Sequence, residues 1–180
     1  MFAFMFGTVI LAYLAADFIA GFFHWLEDRY FDEAWPIIGS CVTKPNNLHH
    51  VKPTAFLEGN YWQRNWTTIV PAGLAVLIAA IFESPFWMLT FTFVSQANEI
   101  HAWAHSKGKV SRFIDVMQSV GILQSPKHHA VHHRSPFDVH YCPLTNWLNP
   151  ILDEAGFWLR LERLVFNVSG LKPKSGQRLS

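Results

Sequence analysis

The chain has 180 residues, 51% hydrophobic and 16% aromatic, and only 15% charged, against roughly 25% charged in an average soluble domain. A net charge of +1 and two cysteines exclude a basic nucleic-acid binder and a disulfide scaffold, and the apolar content excludes a disordered chain. What remains is a small single-domain membrane protein carrying ten histidines beside fourteen Lys and Arg.

Residues 1–28 and 65–106 contain no Lys or Arg, and these gaps hold the apolar runs. The first, MFAFMFGTVILAYLAADFIAGFFHW, predicts a span over 3–24 with Asp17 as its one charge. It is long enough for a bilayer core, which takes about 20 residues. A signal peptide would open with Lys or Arg and end on a small-residue cleavage site, and this segment does neither. TTIVPAGLAVLIAAIF predicts a second span over 67–82, and FWMLTFTFVSQANEI a third over 86–104. Between them Ser84 is a candidate N-cap and Pro85 suits the first helical position.

Every Lys and Arg then falls on one side, which the positive-inside bias makes cytosolic, at the inner membrane if the source is bacterial. Both cysteines lie there, where thiols stay reduced. The expected architecture is an all-α integral membrane protein with three transmembrane helices and a His-rich, helical cytosolic cap. That cap comprises 25–66 and 106–170, within one domain over 1–174, and 175–180 form a flexible tail.

The first cap segment, with Pro36, Pro45, Asn46, Asn47, Pro53 and Gly59, reads as mostly irregular, with a short helix near Thr54–Glu58. In the second, Ser111 caps a helix with Phe113, Met117 and Val120 on one face. Ser125-Pro126 opens another and Ser135-Pro136 closes it. Asn149-Pro150 opens a third, on which Phe157, Leu161, Leu164, Val165 and Val168 share a face suited either to the membrane interface or to the core.

The histidines come in clusters: His24 in HWLED, His49 and His50 in NLHH, His101 and His105 in NEIHAWAH, His128, His129, His132 and His133 in KHHAVHH, and His140 in DVHYC. Spacing of i, i+4 puts two imidazoles on one helix face, as in His101/His105, His128/His132 and His129/His133. Nine histidines, His140 aside, exceed the needs of one zinc and fit two metals. Ligands that are nearly all nitrogen differ from the Glu-rich di-iron bundles, and imidazole suits iron, copper and zinc. Two irons at a membrane face would suit O2 activation on a lipid chain, whose C–H bonds offer no acid for a base to remove. Asp28 and Asn98 are candidate catalytic residues that orient a ligand or a water. Asp17 and Glu99 are further acids near these histidines, and an acid within a span is a functional candidate by default.

The segments ADFIAGFFHWLED, PNNLHHVKPTA, NEIHAWAHS, PKHHAVHHRSPFDVHYC and LTNWLNPILDEAGFWLRLERLV resemble the Kua-type lipid desaturases over Ala15–Lys174. That family includes plasmanylethanolamine desaturases and a plastid phosphatidylglycerol desaturase. The resemblance implies an O2-dependent, membrane di-iron oxidoreductase acting on intact phospholipid. For the ether branch, it implies conversion of a 1-O-alkyl chain to the vinyl ether of a plasmalogen. It implies ligand roles for His24, His49, His50, His101, His105, His129, His132 and His133, with His128 matching only part of the family, and a role for Asp28. Position 99 is commonly Gln in relatives, and some have Tyr where His140 stands. The chain carries no CxxC, flavin fingerprint or haem motif, so the resemblance implies an external donor, cytochrome b5 or a ferredoxin. Acyl-chain desaturation, a histidine-box lipid hydroxylase and a non-catalytic metal or haem-binding membrane protein are the alternatives.

Overall fold

The computed structural model describes residues 2–106 and 108–174. The tail expected over 175–180 lies outside the described residues. All regular structure among the described residues is helical.

Helix α1, Phe2–Arg29, runs unbroken through the expected boundary at residue 24. Nothing in IAGFFHWLEDR breaks a helix, so His24 and Asp28 are held on one rigid face. Helix α3, Tyr61–Ile81, starts at a capping box in which the Asn60 side chain accepts from the Gln63 backbone and the Gln63 side chain accepts from the Asn60 backbone. Such a cap contributes about 1 kcal/mol. Pro71 lies inside α3 and supplies no donor to the Thr67 carbonyl. Both α1, over Phe4–Arg29, and α3 are long and apolar enough to cross a membrane. Their outer faces leave Phe4, Leu11, Leu74, Leu77 and Ile81 between 59% and 80% exposed, the surface of a helix pair facing lipid rather than water.

The third expected span is two helices, α4 Pro85–Val94 and α5 Ala97–His105. Ser95 and Gln96 break it: the Ser95 hydroxyl donates to the Thr92 carbonyl at 2.7 Å, competing with the backbone ladder. Ser84 occupies the N-cap position of α4, but its side chain makes no capping bond. Helix α4 packs between α1 and α3, and α5 continues along α3.

The first cap segment is more helical than its prolines predict. A π-helical turn, Gly39–Thr43, leads into α2, Lys44–Val51, and a 3-10 turn spans Pro53–Leu57. Pro45 sits in the first turn of α2, where its missing N–H costs nothing. His49 and His50 therefore lie on a helix, not in a loop.

In the second cap segment Ser111 caps α6, Arg112–Ser119, and Ser125 caps α7, Pro126–His132, each through its side-chain oxygen. The expected last helix is split into α8, Leu148–Glu154, and α9, Phe157–Ser169, because Gly156 adopts a left-handed conformation. Phe157, Leu161 and Val165 pack around buried Trp25, Tyr141, Cys142 and Trp158, whereas Leu164 and Val168 are exposed. Two contacts fasten this segment to α1. Asp17 accepts from the Leu144 and Thr145 amides and from the Thr145 hydroxyl at 2.6–3.2 Å, and Gly21 faces Cys142, where a Cβ would lie 2.9 Å from the Cys142 Cα.

Candidate metal centre

Four helices deliver the ligand atoms. α5 presents His101 and His105 one turn apart, and α7 presents His129 and His133 in the same way, His133 being the residue that ends it. With His49 of α2 they form a group whose ligand atoms all lie within 4.8 Å of one another. The Nε2 atoms of His101, His105, His129 and His133 approach in pairs at 2.8–3.2 Å. Nitrogens about 2.1 Å from one metal ion would stand roughly 3.0–3.4 Å apart on its coordination edges, so the spacing fits a shared ion.

The second group is His24 and Asp28 of α1, His50 of α2 and His132 of α7, also within 4.8 Å. Asp28 Oδ1 lies 2.9 Å from His50 Nε2, and Oδ2 lies 3.3 Å from His132 Nε2 and 3.7 Å from His24 Nε2. The two groups adjoin: the His24 and His101 rings are 5.4 Å apart, and those of His50 and His133 are 5.2 Å apart.

The groups suit metal ions. Among the described residues His24 Nε2, His132 Nε2, Asp28 Oδ2 and both ring nitrogens of His49 are buried without hydrogen-bond partners. Buried polar atoms left so are costly, and bound cations would take the free lone pairs of His24, His132 and Asp28 and one nitrogen of His49. The opposite ring nitrogens are held. His24 Nδ1 meets the Tyr141 carbonyl at 3.0 Å and His132 Nδ1 the Val139 carbonyl at 2.8 Å, so each Nδ1–H donates and each Nε2 keeps its lone pair for a ligand. Burial first, and neighbouring imidazoles second, hold His49 and His129 well below the ordinary histidine range, and His133 is lowered in the same way. Neutral imidazole is the form that binds metal.

Of the nine imidazoles expected to bind metal, eight fall together with the Asp28 carboxylate into these two groups, divided five and four. Asp28 sits among the ligand atoms rather than behind one. His128 lies in neither group: it faces the other way, with its ring 4.4 Å from that of His140 and Nε2 3.2 Å from the Asn149 amide nitrogen. His132 therefore pairs with α1 and not with His128. His140 in turn lies 2.6 Å from Asp153. Asn98 donates to the Arg64 carbonyl, and Glu99 accepts from Arg64 and Asn65, so both link α5 to α3 instead of touching a ligand ring. Asp17 holds the 144–145 backbone. Sequence reasoning missed Asn46, which donates to Asp28 Oδ1 at 2.6 Å; its place one helical turn before His50 was the available signal. The Tyr141 and Val139 carbonyls leave no such signal, because any residue supplies one.

A cavity of about 610 Å³ is lined by His24, His49 and His101, residues of both groups. Its walls are apolar and small-featured, with Ile19, Ala20, Ala72, Ala75, Phe91 and Val94 among them, and Glu27, Gln63, Arg64 and Asn98 also line it.

Comparison with known proteins agrees with this chemistry. The lipid desaturase domain model matches residues 13–176. A probable fatty acid desaturase of Acanthamoeba polyphaga mimivirus is 31% identical over 94% of this chain and 86% of its own length. A plasmanylethanolamine desaturase of Myxococcus xanthus is 30% identical, covering 93% of this chain and 63% of the relative. A plasmanylethanolamine desaturase of Mus musculus is also 30% identical, covering 93% and 67%. No solved structure shows significant similarity. Matched over nearly its whole length, the chain belongs to the lipid desaturase domain family and is an oxidoreductase.

Proposed function

We propose that the protein is a multi-pass membrane, O2-dependent di-iron desaturase of intact phospholipid, which converts the 1-O-alkyl chain of a plasmanyl lipid to the 1-alkenyl chain of a plasmalogen. The observation that carries this reading is the largely apolar cavity lined by His24, His49 and His101, one residue from one ligand group and two from the other. The two similar proteins named plasmanylethanolamine desaturases support the ether substrate. The net change converts CH2–CH2, O2, two electrons and two protons to CH=CH and two waters.

Bound iron would supply the oxidising power that no side chain has. The chain's own residues bind and orient. Ala72 and Ala75 of α3 and Ile19 and Ala20 of α1 receive the lipid chain and exclude water, and the polar residues Gln63, Arg64 and Asn98 line the same cavity. Asn46 holds Asp28 in place beside His24, His50 and His132. The active face is the cytosolic one, where the basic residues gather. Cytochrome b5 or a ferredoxin delivers the electrons there.

A second reading, acyl-chain desaturation, is favoured by the relative named a probable fatty acid desaturase. Lipids extracted from cells that express the protein and contain 1-O-alkyl phospholipid decide between them. Acid-labile vinyl ethers are expected. A new acyl double bond in their place would establish the second reading, and the absence of both would overturn the two together.

A further inference from the structure

We propose that residues 113–124 and 141–151, assigned by charge to the cytosolic cap, form a wedge inserted among the lipid acyl chains of the leaflet nearest the metal groups. Of the proposed function it uses only the reading that α1 and α3 span the bilayer.

Depth is set by the bonds to α1. The Leu144 and Thr145 amides donate to Asp17, and the Tyr13 hydroxyl donates to the Ile122 carbonyl at 2.9 Å. Asp17 and Tyr13 precede His24 by seven and eleven residues, which is roughly 10 and 16 Å along the helix. Packing with α4 and α5 agrees: Leu123 and Leu144 share one apolar cluster with Phe93 of α4 and Ala97 and Ile100 of α5, and the rings of Phe93 and Tyr13 are 5.0 Å apart. A hydrocarbon core is about 30 Å thick, so Ile122 lies near its middle when His24 marks its edge.

Non-helical backbone survives at such depth only where protein satisfies it, and here it is satisfied. Gln124 N–H donates to the Leu144 carbonyl at 2.7 Å, and its side chain donates to the Cys142 carbonyl. Gln118 donates to the Gln124 carbonyl, and the Asn149 side chain accepts from the Cys142 amide. Apart from exposed Asp115 and Ser119 the outward rim is apolar: Phe113, Val116, Val120, Ile122, Trp147 and Ile151 are all exposed. Residues 116–126 carry no charge, and 139–152 carry none apart from a histidine. Tyr13 and Asp17 hold this rim against α1, whose own outer residues Phe4 and Leu11 are exposed and apolar, so the occupant is bilayer hydrocarbon.

Single cysteines placed at Ile122, Val120, Lys109 and Leu77 in a Cys41→Ser background, each bearing an environment-sensitive fluorophore, test the wedge in phosphatidylcholine vesicles. Buried Cys142 is left in place. The labels at 77, 120 and 122 should lose fluorescence to acyl-chain spin labels and resist aqueous iodide, and the label at 109 should do the reverse. Iodide quenching at 120 and 122, with 77 still quenched from the lipid, would overturn the wedge alone. Protection of 120 and 122 from both quenchers would also overturn it, by pointing to a second copy as the cover. Iodide quenching at 77 as well would overturn the spanning reading along with it.

Discussion

His49 and His50 are neighbours in α2, their ring centroids are 5.5 Å apart, and they serve different ligand groups. Successive residues on a helix point about 100° apart, so α2 works only where the two groups meet. His129, His132 and His133 repeat the arrangement on α7, with His132 directed to one group and its neighbours to the other. Two short helices therefore hold the groups side by side.

Either replacement, His49→Ala or His50→Ala, should thus lower the iron content of the purified protein and remove activity. The loss should exceed the 10–100-fold that removal of an outer partner typically costs. Iron analysis beside a lipid desaturation assay checks this. Full iron and activity in His49→Ala would remove that residue from the ligand set.

Asn46 donates to Asp28 Oδ1, the oxygen that also meets His50. Asn46→Ala should weaken metal binding by roughly 10–100-fold while leaving all nine candidate ligands in place. A competition titration against a chelator reads this, and added iron should restore activity in Asn46→Ala but not in Asp28→Ala.

His128 is set apart from its neighbours in KHHAVHH, since it contacts His140 and Asn149 and belongs to neither group. His128→Ala should retain the parent's iron content, whereas His133→Ala should lose iron and activity and still reach the membrane. Loss of iron in His128→Ala comparable to that in His133→Ala would refute this division.

Much of the metal centre was legible because it is written in helical spacing. His24/Asp28, His101/His105 and His129/His133 are each four apart, and each pair shares a group. The division between groups was not legible. It depends on how α1, α2, α5 and α7 cross, and adjacent residues such as His49 and His50 carry no mark of direction. The ties between the second cap segment and α1 were not legible for another reason. Charge marks the segment at Lys109, Lys127, Arg134 and Arg160, but Tyr13 and Asp17 bond to the turns at 122 and 144–145 between them. Hydrogen bonds between residues more than a hundred positions apart leave no local pattern. The break at Ser95 and Gln96 inside an apolar run was hidden likewise, because Ser and Thr carry their own competing hydroxyls.

The metal-free protein should lose stability in acid. His49 and His129 have folded-state values well below the ordinary one, and His128 is lowered to about 4, in each case chiefly by burial. Unfolding returns each to roughly 6.5. Below that pH the unfolded chain binds more protons, so stability is complete above about 6.5 and declines as pH falls toward the folded values. Each fully buried histidine contributes a slope of about 1.4 kcal/mol per pH unit within its window. Denaturant unfolding in detergent at a series of pH values between 8 and 5 should show this fall, and a flat profile would contradict it. Bound metal should shift the fall to lower pH, because protons and metal compete for the same lone pairs.

The cavity makes the last distinction, between holding metal and holding substrate. Ala72 is buried on the α3 wall of the cavity and belongs to neither ligand group. Ala72→Trp would put an indole into space that a lipid chain must occupy, and overpacking of this kind costs typically 1–3 kcal/mol of stability. Iron content should stay near the parent's, because residue 72 belongs to neither ligand group. Desaturation should fall at least about tenfold, the equivalent of 1.4 kcal/mol of lost chain binding. Ala72→Gly keeps the slot open and should retain most activity despite its cost to the helix, about 1 kcal/mol. Iron analysis and product measurement on both variants separate the outcomes. An Ala72→Trp protein with full iron and full turnover would mean that the lipid chain enters elsewhere.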